Sequence, residues 1–392
     1  MPVVLTRTEG RWILLLAGSL ALAPQGLPAE KAPIGTGTGN GRATRPARGF
    51  SYRNDQNPEI PWSVHVVTVD RGHPGIELHT TFGDGRRFGM ALVSEQIKGL
   101  PPGLGVPVAA VNGDFYGDSR RYEGRPRDLQ IRAGELVTGP KGNTCFWIGP
   151  DGQPRMTNIL SQFRVVWPDQ TETPVGLNEE RAPDAAVLYT AAVGASTRTS
   201  GGREFVLERG DDGRWLPLQA GGSYLTKLHA VREAGDSPLD PDSLVLSVGS
   251  RLAARLPRLE PGAVLQVITE TIPDLKGVQT AIGGGPALVR DGVAMKWSGL
   301  QFRHPRTAVG WNRDAIFLVQ VDGRQGDLSV GMSFPELAGY LRKLGCDEAM
   351  NLDGGGSATC WVLGNVMNNP SEGRERPAAN ALVVVEKRGP AK

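Results

Sequence analysis

Residues 315–352 read AIFLVQVDGRQGDLSVGMSFPELAGYLRKLGCDEAMNL. The first seven residues and the last five, Glu348–Leu352, are runs of strand length. Between them Ser333 can cap a helix, and Glu336 three residues on completes a capping box. Phe334, Leu337, Ala338, Leu341 and Leu344 then keep the 3, 4, 7 spacing of one apolar face. Arg342 and Lys343 lie in the last turn, where the helix dipole favours cations, and Gly345 supplies the stop. The stretch therefore predicts strand, helix over 333–344, strand: a crossover, which usually joins parallel strands.

Outward from this unit the pattern changes. Apolar runs bounded by Gly and Pro predict strands at Ser63–Asp70, Val106–Val111, 145–148, 185–190, 244–248, 263–269, 358–363 and 381–386. Short turns join most of them, as in antiparallel sheets, and only one further short helix is legible, from Ser94 to Lys98. The fold class is therefore α+β: mixed, largely antiparallel sheets, a few helices, and one strand-helix-strand crossover near the C-terminus. The 53 glycines, without a collagen period, fit a loop-rich β domain. The polar stretch 196–243 is read as the variable flank of the same domain.

The boundaries follow from composition. Arg7 and Arg11 precede an apolar run from Trp12 to Ala23, the charged and apolar regions of a signal peptide, with Ala29 as its end. The run is short for a membrane span. Residues 1–29 are thus read as a leader, 30–59 as a flexible linker rich in Gly, Pro, Thr and Arg, 60–386 as the folded domain and 387–392 as a tail. Export to the periplasm or outside the cell is expected, with no stable membrane anchor once the leader is removed. The net charge of +2, from 43 basic and 41 acidic residues, argues against a general nucleic-acid binder. Cys145, Cys346 and Cys360 have no zinc spacing and read as small buried side chains.

Chemistry concentrates in Thr280–Asn380. Here stand Gly283-Gly284-Gly285-Pro286, then R-T-A-V-G from Arg306, then V-D-G-R ending at Arg324. Asn351-Leu352-Asp353-Gly354-Gly355-Gly356-Ser357 follows the crossover, and Asn369-Pro370 and Glu375-Arg376 come after it. A second locus is V-N-G-D-F-Y at 111–116. Three residues without Cβ after Asp353 let a ligand approach the backbone and leave amides to donate to an anion. A tight turn with a solvated Asp is the plainer alternative. Asp114, Asp322 and Asp353 each stand beside a glycine at a strand end, so one cleft could collect them. Arg306 has the planar fork that suits phosphate oxygens. No dinucleotide fingerprint, P-loop, nucleophile elbow or paired-histidine zinc motif occurs. Of the five histidines only His304 falls near these segments.

The ordered set resembles the phosphodiester glycosidase family, over roughly residues 60–386; L-Y-T at 188–190 and A-I-G-G-G-P at 281–286 agree in order. Asp114 departs from it, standing where many members have a second glycine. The resemblance implies a hydrolase that frees a sugar from a sugar-1-phosphodiester. In that scheme Asp353, then Asp322, supplies the carboxylate, with Arg306 as the third catalytic residue on the phosphate. Substrate contacts would come from Asn112, Asp114, Gly284, Gly285, Asn351, Gly354, Gly355, Gly356, Ser357, Asn369 and Arg376. The partner is a carbohydrate phosphodiester, and no cofactor is called for. Two alternatives stay open: a non-catalytic module that binds sugar phosphates or wall polymers, and a metal-dependent phosphodiesterase. In the latter Asp114, Asp322 and Asp353 would bind Ca²⁺ or Mg²⁺.

Overall fold

The computed structural model describes residues 49–387 except 118, 212, 214 and 257. The leader, the linker up to residue 48 and most of the tail lie outside the described residues. The crossover takes the predicted form: strand Ala315–Val321, helix Phe334–Lys343, strand Glu348–Asn351. Ser333 accepts from the Glu336 N–H, and the Glu336 side chain accepts from the Ser333 N–H, so both halves of the capping box form. Both strands pair antiparallel with Arg306–Trp311, which lies between them, so they run parallel to each other. Leu337, Ala338 and Leu341 turn the helix's apolar face onto Val64, Val66, Val319 and Val321.

These strands belong to a seven-stranded sheet ordered Phe50–Asn57, Trp62–Asp70, Ala315–Val321, Arg306–Trp311, Glu348–Asn351, Ala287–Arg290, Val293–Ala294. Its other face, through Val67, Leu318, Val309 and Met350, packs on Val111, Cys360, Leu382 and Val384 of a five-stranded sheet. Alternation explains the two faces: Val66 and Val319 point to the helix, Val67 and Leu318 to the second sheet. The domain therefore starts earlier than read. Residues 50–57 are an edge strand in full register with Trp62–Asp70, and not linker. Their alternation of polar and half-buried residues hides a strand whose outer side has no paired strand among the described residues.

A third sheet of five strands includes Gln130–Arg132, Thr144–Ile148 and Thr280–Gly283. Residues 160–272 close a seven-stranded barrel of their own. The polar flank 196–243 supplies two of its strands, Arg203–Arg209 and Ser223–Arg232. Their inward positions, such as Phe205, Leu207, Tyr224 and Leu228, are buried, and most of their outward positions are polar, Val206 and Leu225 being apolar exceptions. The architecture is α+β, mainly β and mostly antiparallel. All three cysteines are buried and free. No helix among the described residues is long and apolar enough to cross a membrane.

Candidate active site

Asp353 leaves the Glu348–Asn351 strand into a turn, and its N–H bonds to the Gly113 carbonyl at 2.9 Å. This joins the two glycine-rich loci read in the sequence. Asn112 does the joining and is wholly buried. Its Nδ2 donates to the Asp353 carbonyl at 2.7 Å; its Oδ1 accepts from Thr307 Oγ1 at 2.6 Å and the Thr359 N–H at 3.0 Å. With both ends of its amide engaged, Asn112 is a clamp between strands, and the expectation that it touches substrate is corrected.

The Asp353 carboxylate accepts from the Gly354 N–H at 2.9 Å. Burial pushes its pKa above the ordinary value, while the Ser357 hydroxyl, that N–H and the charges of Arg376 and Arg127 pull it down. Ser357 is fully buried and its Oγ accepts from Arg376 Nη2 at 2.7 Å. The three glycines are required by what passes over them. A Cβ on Gly356 would come within 2.8 Å of Arg376 Nη1, one on Gly355 within 3.2 Å of Arg324 Nη2, and one on Gly354 within 2.6 Å of the Pro305 carbonyl. Two arginines thus close on the turn, Arg376 together with the Glu372 carboxylate that pairs with it at 3.4 Å and lies nearest Gly356. Its amides are less free than read: Gly354 donates to Asp353, Gly355 to Pro305 and Ser357 to Gly354. Gly356 alone of the four keeps an N–H without a partner among the described residues.

Arg306 lies on the helix side of its sheet. Its guanidinium stacks on Phe334 at 4.0 Å and donates to the carbonyls of Met332 at 2.9 Å and Phe302 at 3.1 Å. Burial brings its pKa down to about 10, and no carboxylate opposes the shift. Burial and then the charges of Arg306 and Arg324 hold the nearby His304 below its ordinary value. Arg306 and Arg324 therefore form a cationic corner around a His304 that they help keep neutral, and Arg324 reaches over Gly355. Arg324 was part of the V-D-G-R motif but not read as a site residue; its φ of 63° carries it out of the strand and over the turn.

The other two acids do not join Asp353 in one cleft. Asp322 is fully buried. His65 Nε2 stands 3.1 Å from its Oδ2, while the Asn369 N–H at 3.0 Å and Gln320 Nε2 at 3.3 Å donate to its Oδ1. Burial pushes its pKa up, but His65, the Ser63 hydroxyl and the Asn369 N–H outweigh that and hold it below the ordinary value. Asp322 is thus a strut that fixes the Asn369 loop, through the Asn369 N–H and more weakly through its Nδ2 at 3.5 Å. His65 was missed because its partner is set by strand register: it faces Gln320, two residues before Asp322. Asp114 is also buried. Its Oδ2 accepts from the Asp128 N–H at 2.7 Å, and its Oδ1 is buried without a partner. Burial, with the Asp128 charge adding and that N–H opposing, pushes its pKa up to about 7. Among the described residues no three His, Cys, Asp or Glu side chains gather as a metal-ligand set.

The G-G-G-P segment is held by packing, with Gly283 and Gly284 buried and Gly285 half-buried. Gly285 N donates to the Asn351 carbonyl at 2.7 Å and its carbonyl accepts from Asn351 Nδ2 at 3.0 Å. A Cβ on Gly284 would lie 2.7 Å from that Asn351 carbonyl. Asn351 itself keeps a buried Oδ1 without a partner. On Gly283 a Cβ would stand 2.5 Å from Asp128 Cβ and 2.7 Å from Asp114 Oδ2. Gly283→Ala is expected to destabilise the protein by about 1–3 kcal/mol through overpacking, read as a lower denaturant midpoint. Space for a ligand opens beside these loops. A cavity of about 570 Å³ borders Arg376, Tyr116 and Arg120, and a smaller one bordering Arg127 and Arg125 shares Gly117 and Ser119 with it.

Comparison with known proteins agrees with the motifs in the C-terminal part. Residues 233–385 match the family described as phosphodiester glycosidase. The 111–116 locus lies outside that match. A Bacillus subtilis (strain 168) relative, the SPbeta prophage-derived uncharacterized protein YomE, is 33% identical over 115 residues, 28% of this chain and 18% of that protein. Two solved structures share the fold. A hypothetical protein from Synechocystis has a TM-score of 0.67 at 21% identity, covering 86% of this chain and 62% of that one. A protein of Burkholderia pseudomallei K96243, named as exported, has a TM-score of 0.62 at 22% identity, covering 83% and 74%. The zebrafish N-acetylglucosamine-1-phosphodiester alpha-N-acetylglucosaminidase catalytic domain, auto-inhibited by pro-peptide, has a TM-score of 0.45 at 17% identity, covering 86% and 82%. The match to YomE thus spans under a fifth of that curated relative, and the Synechocystis match under two thirds of its chain.

Proposed function

We propose that the chain is an exported hydrolase that cleaves a sugar from a sugar-1-phosphodiester, releasing free sugar and a phosphomonoester. The observation that carries this reading is Asp353, a half-buried carboxylate on a glycine turn that Arg324 and Arg376 close upon. Cleavage at the anomeric carbon builds positive charge on the sugar ring, which a carboxylate stabilises or attacks. The departing phosphomonoester is a weak base, so fixed cations and an N–H can hold its charge in place of a strong general acid. Arg324, Arg306 and the Gly356 N–H serve the phosphate, and Arg376 both braces Ser357 and faces the cavity. Export to the periplasm or cell exterior is supported by the leader pattern and by the exported relative of the same fold.

Hydrolysis of a small panel of sugar-1-phosphodiesters in ¹⁸O-labelled water tests the reaction. Label is expected in the sugar; label in the phosphate would make the protein a phosphodiesterase instead. Binding without turnover would leave it a sugar-phosphate binding module. The cationic corner makes a separate demand. Arg324→Ala is expected to lower kcat/KM by about 10–100-fold while leaving stability nearly unchanged, since the side chain is exposed.

A further inference from the structure

The segment between the Val293–Ala294 strand and Arg306 is the least covered apolar surface near the site. Val293 is 64%, Met295 41%, Leu300 79% and Phe302 64% exposed, four large apolar side chains within ten residues. Isolated exposed apolar residues need no explanation, but a cluster marks a surface that meets something apolar. This cluster is built onto the cationic corner. Trp297 anchors it by packing against Phe334, ring centroids 5.0 Å apart, and Phe334 is the ring on which Arg306 stacks at 4.0 Å. The Phe302 carbonyl accepts from Arg306 Nη2 at 3.1 Å. Apolar flap and arginine therefore share one support, and a ligand whose anion sits at Arg306 and Arg324 would have the Phe302 end of the flap beside its next atoms.

We infer that residues 293–302 bind a hydrocarbon chain carried on the phosphate of the substrate, so that the aglycone is lipid-like: an alkyl or isoprenyl phosphate. The chemistry of the pair points this way. Cations without a carboxylate neighbour select the phosphate, and apolar side chains beside them reward only a ligand that continues as hydrocarbon. A hydrophilic aglycone such as a second sugar would leave Leu300 and Phe302 in water. The inference rests on the proposed placement of the phosphate, but its test does not depend on turnover.

Calorimetric titration of the full chain with octyl phosphate and with methyl phosphate measures the effect. A buried methylene contributes about fourfold in affinity at most, so partial cover of the chain predicts octyl phosphate binding at least about tenfold more tightly, with a negative heat-capacity change. Leu300→Ser with Phe302→Ser, both exposed positions, should erase that preference and leave methyl phosphate binding unchanged. Equal affinities for the two phosphates in the unmodified protein would overturn the inference. Co-sedimentation with phosphatidylcholine–phosphatidylglycerol vesicles but no octyl preference would also overturn it, making the flap a membrane-docking surface. Failure of the glycosidase reading would look different: the octyl preference would persist while no sugar phosphodiester is turned over.

Discussion

Asp353→Asn is expected to lower turnover by about 10²–10⁴-fold while the protein stays folded. Asn keeps the shape, and its amide oxygen can still accept from the Gly354 N–H that now bonds the carboxylate at 2.9 Å. What is lost is the negative charge facing the oxocarbenium-like centre. The stability side has the opposite sign from most buried-acid substitutions. Burial, the largest influence, holds the Asp353 pKa above its ordinary value. The folded state therefore binds that proton more tightly than the unfolded chain does. Stability falls as pH rises through the window from the ordinary carboxylate value to the raised one, and above it the fold carries an ionised group at a cost. Removing the charge at neutral pH should leave the denaturant midpoint equal or slightly higher. Activity must follow the ionised form, so the acidic limb of kcat/KM should lie above the range of a free aspartate and disappear in the variant. A nearly normal rate for Asp353→Asn would remove Asp353 from the mechanism.

The parts of this molecule that are local in sequence are the parts legible in it. The capping box at Ser333 and Glu336, the helix face, and the parallel relation of the strands it joins follow from spacing within 38 residues, and all are present. The glycine turn after Asp353 was readable for the same reason. What depends on register between distant strands was not. The pairing of His65 with Asp322 spans the sheet, and the pairing of Asp114 with Asp128 is made by a loop that folds back. Both turn a strand-end acid beside a glycine from a ligand-facing group into a buried one. The recurring acid-glycine pattern thus gave three candidates, and burial leaves one half-open to the site. Arg324 and Arg306 show the converse. Their residue type was visible, but only the fold shows that one crosses Gly355 and the other stacks on Phe334 at the root of an apolar flap. The edge strand Phe50–Asn57 escaped because a strand with one neighbour and polar alternation has the composition of a linker.

The role left to Asp322 carries the largest expected effect on stability. Asp322→Ala should cost about 3–5 kcal/mol, because it strips one member from a buried charged network and leaves the others unpaired. His65 Nε2, 3.1 Å away, the Asn369 N–H at 3.0 Å and Gln320 Nε2 at 3.3 Å would all lose an acceptor in a place water does not reach. Asp322→Asn keeps two acceptor sites on one oxygen and should cost less. The pH dependence follows the direction of the shift. Burial raises the Asp322 pKa, but His65 and the donors outweigh it, so the folded value lies below the ordinary one. Such a group contributes stability that is fully present above the unfolded pKa and is lost as pH falls through the folded value. The unmodified protein should lose more stability on acidification through that range than Asp322→Asn does. Kinetics then separate a strut from a reacting carboxylate. With a neutral amide oxygen in place of the carboxylate, the Asn369 loop is held less firmly, so Asp322→Asn is expected to raise KM more than it lowers kcat. If it instead abolished kcat with the denaturant midpoint unchanged, Asp322 would be the second carboxylate of the reaction and the buried network incidental to it.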